Sequence, residues 1–137
     1  MVIDLANHRL FIGCHNQFME MIDSATGKVV GSVPIGKGVD ANAFDPGTMF
    51  AFSSNGEGNV TIAHEETPDK LVPVQTLTTE PGARTMALDP KTHRIYLASA
   101  KFEAPADAAP DAPRKRPKII SGTMKILVYG TDPSPAP

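Results

Sequence analysis

The residues suited to chemistry are few and widely spaced. Asp40 and Arg84 lie 44 positions apart and set a carboxylate against a guanidinium. If the fold brings them together, they can grip a polar ligand, because the planar guanidinium fork matches a carboxylate or phosphate. They can equally form a structural ion pair. Asn42, Asn55 and His15 add hydrogen-bonding groups. An imidazole can act as a base or metal ligand, so His15 is a candidate for either role. A metal site needs several convergent ligands, however, and His8, His64 and His93 fall at other places in the chain's pattern. Cys14 is the one cysteine, which rules out an intrachain disulfide, C-x-x-C-H haem attachment and paired-cysteine zinc sites. No acid, base and nucleophile stand in a recognisable order. The expectation is a binding role without cofactor or metal, and without assigned catalysis.

Composition narrows the partners. Thirteen Lys+Arg against 15 Asp+Glu give a formal charge of −2, which disfavours nucleic acid as a general partner, since phosphate affinity grows with the number of phosphates neutralised. No apolar run approaches the ~20 residues that span a bilayer, so no membrane span is expected. No basic segment followed by an apolar stretch opens the chain, so no export signal is visible. Eleven Gly and 13 Pro among 137 residues favour many short strands over long helices.

The elements that must position these groups repeat. Val2–Cys14, Ala43–Ser54 and Ala87–Ser99 share an apolar–Asp–turn–apolar pattern, with the Asp at 4, 45 and 89. Spacings of 41 and 44 residues match four-stranded propeller blades. The first unit reads as strands A at 1–4, B at 9–14, C at 17–22 and D at 28–34. The second reads as 41–44, 49–54, 59–64 and 71–77, and the third as 85–88, 94–99 and 123–129 with no D strand. Prolines 133, 135 and 137 exclude a ladder strand at the end, so residues 131–137 are expected to be a disordered tail. Asp45-Pro46-Gly47 and Asp89-Pro90-Lys91-Thr92 supply A–B turn chemistry, and Gly27 supplies a positive φ in the first C–D turn. Strands such as Leu10-Phe11-Ile12 are apolar on both faces, as sandwiched blades require. In this alignment Cys14 matches Ser54 and Ser99 as a small buried residue, and His15 matches Asn55. The predicted fold is all-β, a partial β-propeller of two full blades (about 1–36 and 37–80) and a third (81–130) lacking its outer strand.

The run Met21-Ile22-Asp23-Ser24-Ala25-Thr26-Gly27-Lys28-Val29-Val30-Gly31 closely resembles the C and D strands of YVTN-type, YncE-like β-propeller repeats. Arg94-Ile95-Tyr96-Leu97-Ala98-Ser99 resembles the family's B strand, with Leu-Ala-Ser in place of Val-Thr-Asn. The resemblance implies an exported, periplasmic or secreted ring of six to seven blades that binds partners or ligands. It also implies that the final D strand is commonly supplied by the same chain's N-terminus. Related propellers include lactone hydrolases and redox domains, which makes a fragment of a propeller enzyme the alternative. The chain reads as the C-terminal part of a longer ring, or as one that closes a ring by association with another copy.

Propeller geometry puts the D–A corners with Asp40, Asn42 and Arg84 on the same face as the B–C loops with His15 and Asn55. An insertion at 101–122 leaves from that face with five Lys+Arg and three Asp+Glu. Its Pro and Ala content favours an extended or disordered segment, and the Arg114–Lys118 run could touch an acidic partner. With no neighbours, the outer faces of the first and third blades would expose apolar surface, so the isolated chain is expected to self-associate.

Overall fold

Short apolar runs punctuated by Asp-, Pro- and Gly-containing turns fold as strands. The computed structural model describes residues 1–103 and 118–131, and among these no helix occurs. The strands are β1 (Val2–Asp4), β2 (Arg9–Cys14), β3 (Phe18–Asp23), β4 (Val29–Pro34), β5 (Val39–Asp45), β6 (Phe50–Asn55), β7 (Asn59–Thr67), β8 (Lys70–Thr78), β9 (Met86–Asp89), β10 (Arg94–Ser99) and β11 (Lys125–Tyr129). They pair into antiparallel sheets ordered β1-β2-β3-β4, β5-β6-β7-β8 and β9-β10-β11. The first strands neighbour one another, β1 against β5 and β5 against β9, while the last strands β4 and β8 also meet. Sheets stacked face to face in chain order, with first strands adjacent, make a partial β-propeller of two four-stranded blades and one with three strands among the described residues.

The A–B turn is built three times the same way. Asp4, Asp45 and Asp89 each accept a backbone N–H two residues ahead, from Ala6 at 2.9 Å, Gly47 at 2.9 Å and Lys91 at 3.0 Å. Four residues after each Asp the chain enters the left-handed region, at His8 (φ 56°), Met49 (φ 58°) and His93 (φ 55°). Gly27 also takes its expected positive φ, 71°.

The B–C turns correct one alignment. Gln17 N–H donates to Cys14 O at 3.0 Å, and Gly58 N–H donates to Asn55 O at 3.0 Å. Cys14 therefore corresponds to Asn55 and Ser99 rather than to Ser54, and His15 corresponds to Gly56 rather than to Asn55. The reason is that β6 continues through Asn55, one residue beyond the segment that looks most alike. A one-residue phase change exchanges the two faces of a strand.

Each blade has a leading face toward the next blade and a trailing face toward the previous one. Phe11, Met19, Met21 and Val33 on the first leading face pack with Phe44, Ala51, Ala63 and Leu71 on the second trailing face. The Phe11 and Phe44 rings stack with centroids 4.9 Å apart. Phe52 and Val60 on the second leading face pack with Ile95 and Leu97 on the third trailing face. Burial on both faces holds for the middle blade, where Ala51 through Asn55 are all buried. It does not hold for β11, whose Ile126 and Val128 are half exposed, because no blade lies beyond them in the structure.

The insertion is more ordered at its base than its composition suggests. Phe102 bridges Ile119, Glu103 N–H donates to Lys118 O at 2.8 Å and Ile120 N–H donates to Lys101 O at 2.9 Å. Its two ends thus pair as a short antiparallel stem. The rest of the insertion, 104–117, which includes all of the basic run but Lys118, and the end of the tail, 132–137, lie outside the described residues.

Candidate functional site

The D–A corners and B–C loops are laced together by glycines. Gly56 N–H donates to Gly38 O at 2.8 Å, and Gly82 N–H donates to Gly56 O at 2.8 Å, so one backbone thread crosses from the first blade's end to the third blade's start. On this rim Asp40 and Arg84 meet. Arg84 Nε stands 3.8 Å from Asp40 Oδ1, and Thr85 Oγ1 donates to Asp40 Oδ2 at 3.4 Å. Arg84 is anchored from behind, because Ser54 Oγ donates to its carbonyl. The Arg84 side chain is 57% exposed.

The two asparagines occupy scaffold positions. Asn42 Oδ1 accepts the Gly13 N–H of the neighbouring blade at 3.0 Å. Gly13 makes this approach possible, since a Cβ there would lie 2.5 Å from Val39 Cγ2 and 2.9 Å from the Asn42 amide. Asn55 is fully buried and spends its amide on Ser53 O (3.1 Å), Asn59 Oδ1 (2.8 Å) and Thr61 Oγ1 (3.3 Å). His15 is exposed on the first B–C turn. The structure thus joins Asp40 to Arg84, holds Asn42 and Asn55 within and between blades, and leaves His15 on the surface. Nearby, Glu80 accepts from Lys125 Nζ at 2.6 Å and from Ser99 Oγ at 2.6 Å. The Lys125 hydrogen bond, followed by that of Ser99, holds its carboxyl below the usual range.

The opposite face, with the A–B turns, carries features that the sequence did not reveal. His93 Nδ1 lies 2.7 Å from Oδ2 of Asp45, which is 1% exposed. Burial pushes the Asp45 carboxyl upward, but hydrogen bonds from His93, Thr48 and Gly47 outweigh it and leave the group below its ordinary range. Gly47 admits this imidazole, for a Cβ there would sit 2.6 Å from His93 Cε1. One blade further back, Asp4 and Glu65 are both buried, and Asp4 Oδ2 and Glu65 Oε2 have no hydrogen-bond partner. Asn7 Nδ2 donates to Glu65 Oε1 at 3.2 Å. Burial, then the neighbouring Asp4 charge, pushes the Glu65 carboxyl up to about 7. A shallow cleft of about 250 Å³ opens beside Asp4, walled by Ile3, Leu5, Ala6, Phe44 and Pro46. The available signal for Glu65 was a charge sharing alternate strand positions with Thr61 and Ala63. No group of three His, Cys, Asp or Glu that could hold a metal occurs among the described residues.

No protein-family model and no curated protein matches the chain. Among solved structures the chain is similar to dihydro-heme d1 dehydrogenase NirN in complex with DHE, with a TM-score of 0.56 and 13% sequence identity. The likeness covers 73% of this chain and 21% of NirN, so the chain spans about a fifth of the protein it matches. At that identity the likeness is one of fold, and it agrees with the propeller arrangement.

Proposed function

We propose that the chain is part of a non-enzymatic binding propeller of the YVTN, YncE-like type, exported in its full form, whose rim engages a carboxylate-bearing small molecule or protein partner through Arg84. The observation that carries this reading is the half-exposed Arg84 side chain, whose backbone carbonyl accepts from Ser54 and whose Nε faces Asp40 at 3.8 Å. That contact is long and solvent-exposed, so a competing carboxylate with bidentate geometry can displace it. The ligand surface is Arg84 with Asp40, extended by His15, while Asn42 and Asn55 hold the loops that present it.

The test is a titration of isotope-labelled chain with succinate, followed by NMR. The reading expects saturable shifts of the Arg84 side-chain signal that disappear in Arg84→Ala and persist in His64→Ala. Shifts unchanged by Arg84→Ala, or none at millimolar succinate, overturn it.

The second reading, a fragment of a propeller enzyme such as a lactone hydrolase or redox domain, rests on the family resemblance, and the likeness to NirN adds the fold alone. Hemin titrated into the chain would distinguish it. A saturable shift of the hemin absorption band favours the redox reading, and an unchanged band favours the rim reading.

A further inference from the structure

Blade stacking brings together two carboxylates, Asp4 from the end of β1 and Glu65 from β7, and buries both, at 3% and 2% exposure. One oxygen of each is satisfied. Asp4 Oδ1 accepts the Ala6 N–H at 2.9 Å, and Glu65 Oε1 accepts from Asn7 Nδ2 at 3.2 Å. Asp4 Oδ2 and Glu65 Oε2 have no hydrogen-bond partner. A buried, ionised carboxylate oxygen without a donor is costly, and a proton or a cation relieves that cost. Arg9, the cation that acts on Glu65, is already committed, with Nη1 on Asp23 at 2.9 Å and Nη2 on Asp69 at 2.9 Å. Asp4, Glu65, Asp23 and Asp69 thus stand against one guanidinium, and the surroundings favour a further positive charge.

The cleft of about 250 Å³ that Asp4 lines is walled by Ile3, Leu5 and Ala6 from the first blade and by Phe44 and Pro46 from the second. Walls and carboxylates alike belong to the joint between these two blades. An apolar cleft with a few convergent polar groups at one end is the usual form of a small-molecule site.

We propose that this joint binds a primary alkylammonium, whose N–H groups donate to Asp4 Oδ2 and Glu65 Oε2 and whose tail lies in the cleft against Leu5, Phe44 and Pro46. The site is on the face opposite the Arg84 rim and is independent of it. Two carboxylates fall short of a metal's ligand set, and no larger set occurs among the described residues. They suit an ammonium, which carries three donors and no acceptor. The charge-assisted bonds offset its desolvation. Neither oxygen reaches solvent, so the ligand enters as the exposed Leu5-Ala6 turn moves aside.

The ligand competes with a proton. Asp4, Asn7 and Arg9 are the groups that act on Glu65, while Glu66 pairs with Lys70 and His64 packs edge-on against Phe50. Burial, then the Asp4 charge, keeps the Glu65 proton on up to about pH 7, so the site takes its ligand above that pH and loses it below.

NMR of the labelled chain at pH 8, titrated with n-butylammonium chloride and followed at the Ala6 amide, tests the proposal. A saturable shift at millimolar concentration is expected, at least about tenfold weaker at pH 5. Asp4→Asn and Glu65→Gln keep the acceptors for Ala6 and Asn7, and each should lose at least about tenfold in affinity. Cooperative thermal melting verifies that both variants are folded. Arg84→Ala should bind as wild type. On the unaltered chain, n-butanol has the tail without the charge, and tetramethylammonium has the charge without an N–H; neither should move the signal. Nα-acetyl-lysine amide identifies the source of the ammonium: its binding extends the ligand class to lysine side chains, and binding of n-butylammonium alone confines it to free amines. No shift with either ammonium probe, an equal shift with n-butanol, or binding unchanged in both Asp4→Asn and Glu65→Gln overturns the proposal.

Discussion

His93 docks on Asp45 across the joint between the second and third blades, Nδ1 to Oδ2 at 2.7 Å. The contact turns a turn-forming aspartate into an inter-blade latch. Asp45→Ala removes the acceptor of three groups and leaves the Gly47 N–H and Thr48 hydroxyl without it, so a loss of about 2–3 kcal/mol is expected in urea unfolding. Because the folded carboxyl lies below its ordinary 3.8, the stability it contributes is complete above that pH and is lost as pH falls through the lowered value. The Asp45→Ala chain should lack this component of acid unfolding; an acid transition identical to wild type would contradict the latch.

Glu65 predicts the opposite slope. Its folded value of about 7 lies above the ordinary 4.5, so the folded chain holds the proton more tightly than the unfolded chain. Stability tied to this group is present below pH 4.5 and declines as pH rises toward 7, by up to about 3 kcal/mol. Glu65→Gln keeps an acceptor for Asn7 and offers an N–H to the unpartnered Asp4 Oδ2. The variant should be more stable than wild type at pH 8 and nearly equal at pH 4.5. Chemical unfolding at the two pH values checks this; a variant less stable at pH 8 rejects the account of a carboxyl raised by burial and the Asp4 charge.

Gly13 and Asn42 form the peg between the first two blades. Gly13→Ala places a methyl 2.5 Å from Val39 Cγ2 and should cost about 1–3 kcal/mol, visible as a lowered melting temperature. Asn42→Ala strands the Gly13 N–H and should cost about 1–2 kcal/mol. The effects should not add, because both changes break the same contact.

The rim separates scaffold from surface. Asn55→Ala removes a fully buried amide with three hydrogen bonds and should cost about 2–3 kcal/mol. Arg84→Ala breaks only an exposed pair and should cost less than about 1 kcal/mol. Thermal melts of the two variants side by side decide whether this division is right.

The strands were legible because apolar runs and Asx turns are local signals. The B strands at 9–14 and 94–99 coincide with β2 and β10, and each turn aspartate makes its anticipated backbone bond. Side-chain direction was less legible. Asn55 was placed one residue out of phase, and in a strand that phase decides whether an amide meets a ligand or fills a blade. The Asp4–Glu65 pair was hidden for a different reason. The two residues lie 61 positions apart, and only blade stacking, which no local pattern encodes, makes them neighbours. The Asp40–Arg84 juxtaposition was readable because the repeat gave both residues the same place in consecutive blades.

The central claim is that consecutive sheets stack leading face on trailing face about one axis. An NMR measurement of through-space contacts between selectively labelled aromatic and methyl groups tests it most directly. The account predicts cross-peaks between the rings of Phe11 and Phe44, whose centroids are 4.9 Å apart, and between the Phe52 ring and the Leu97 methyls. Cross-peaks confined within each sheet, with both inter-blade sets missing from a folded chain, would contradict it.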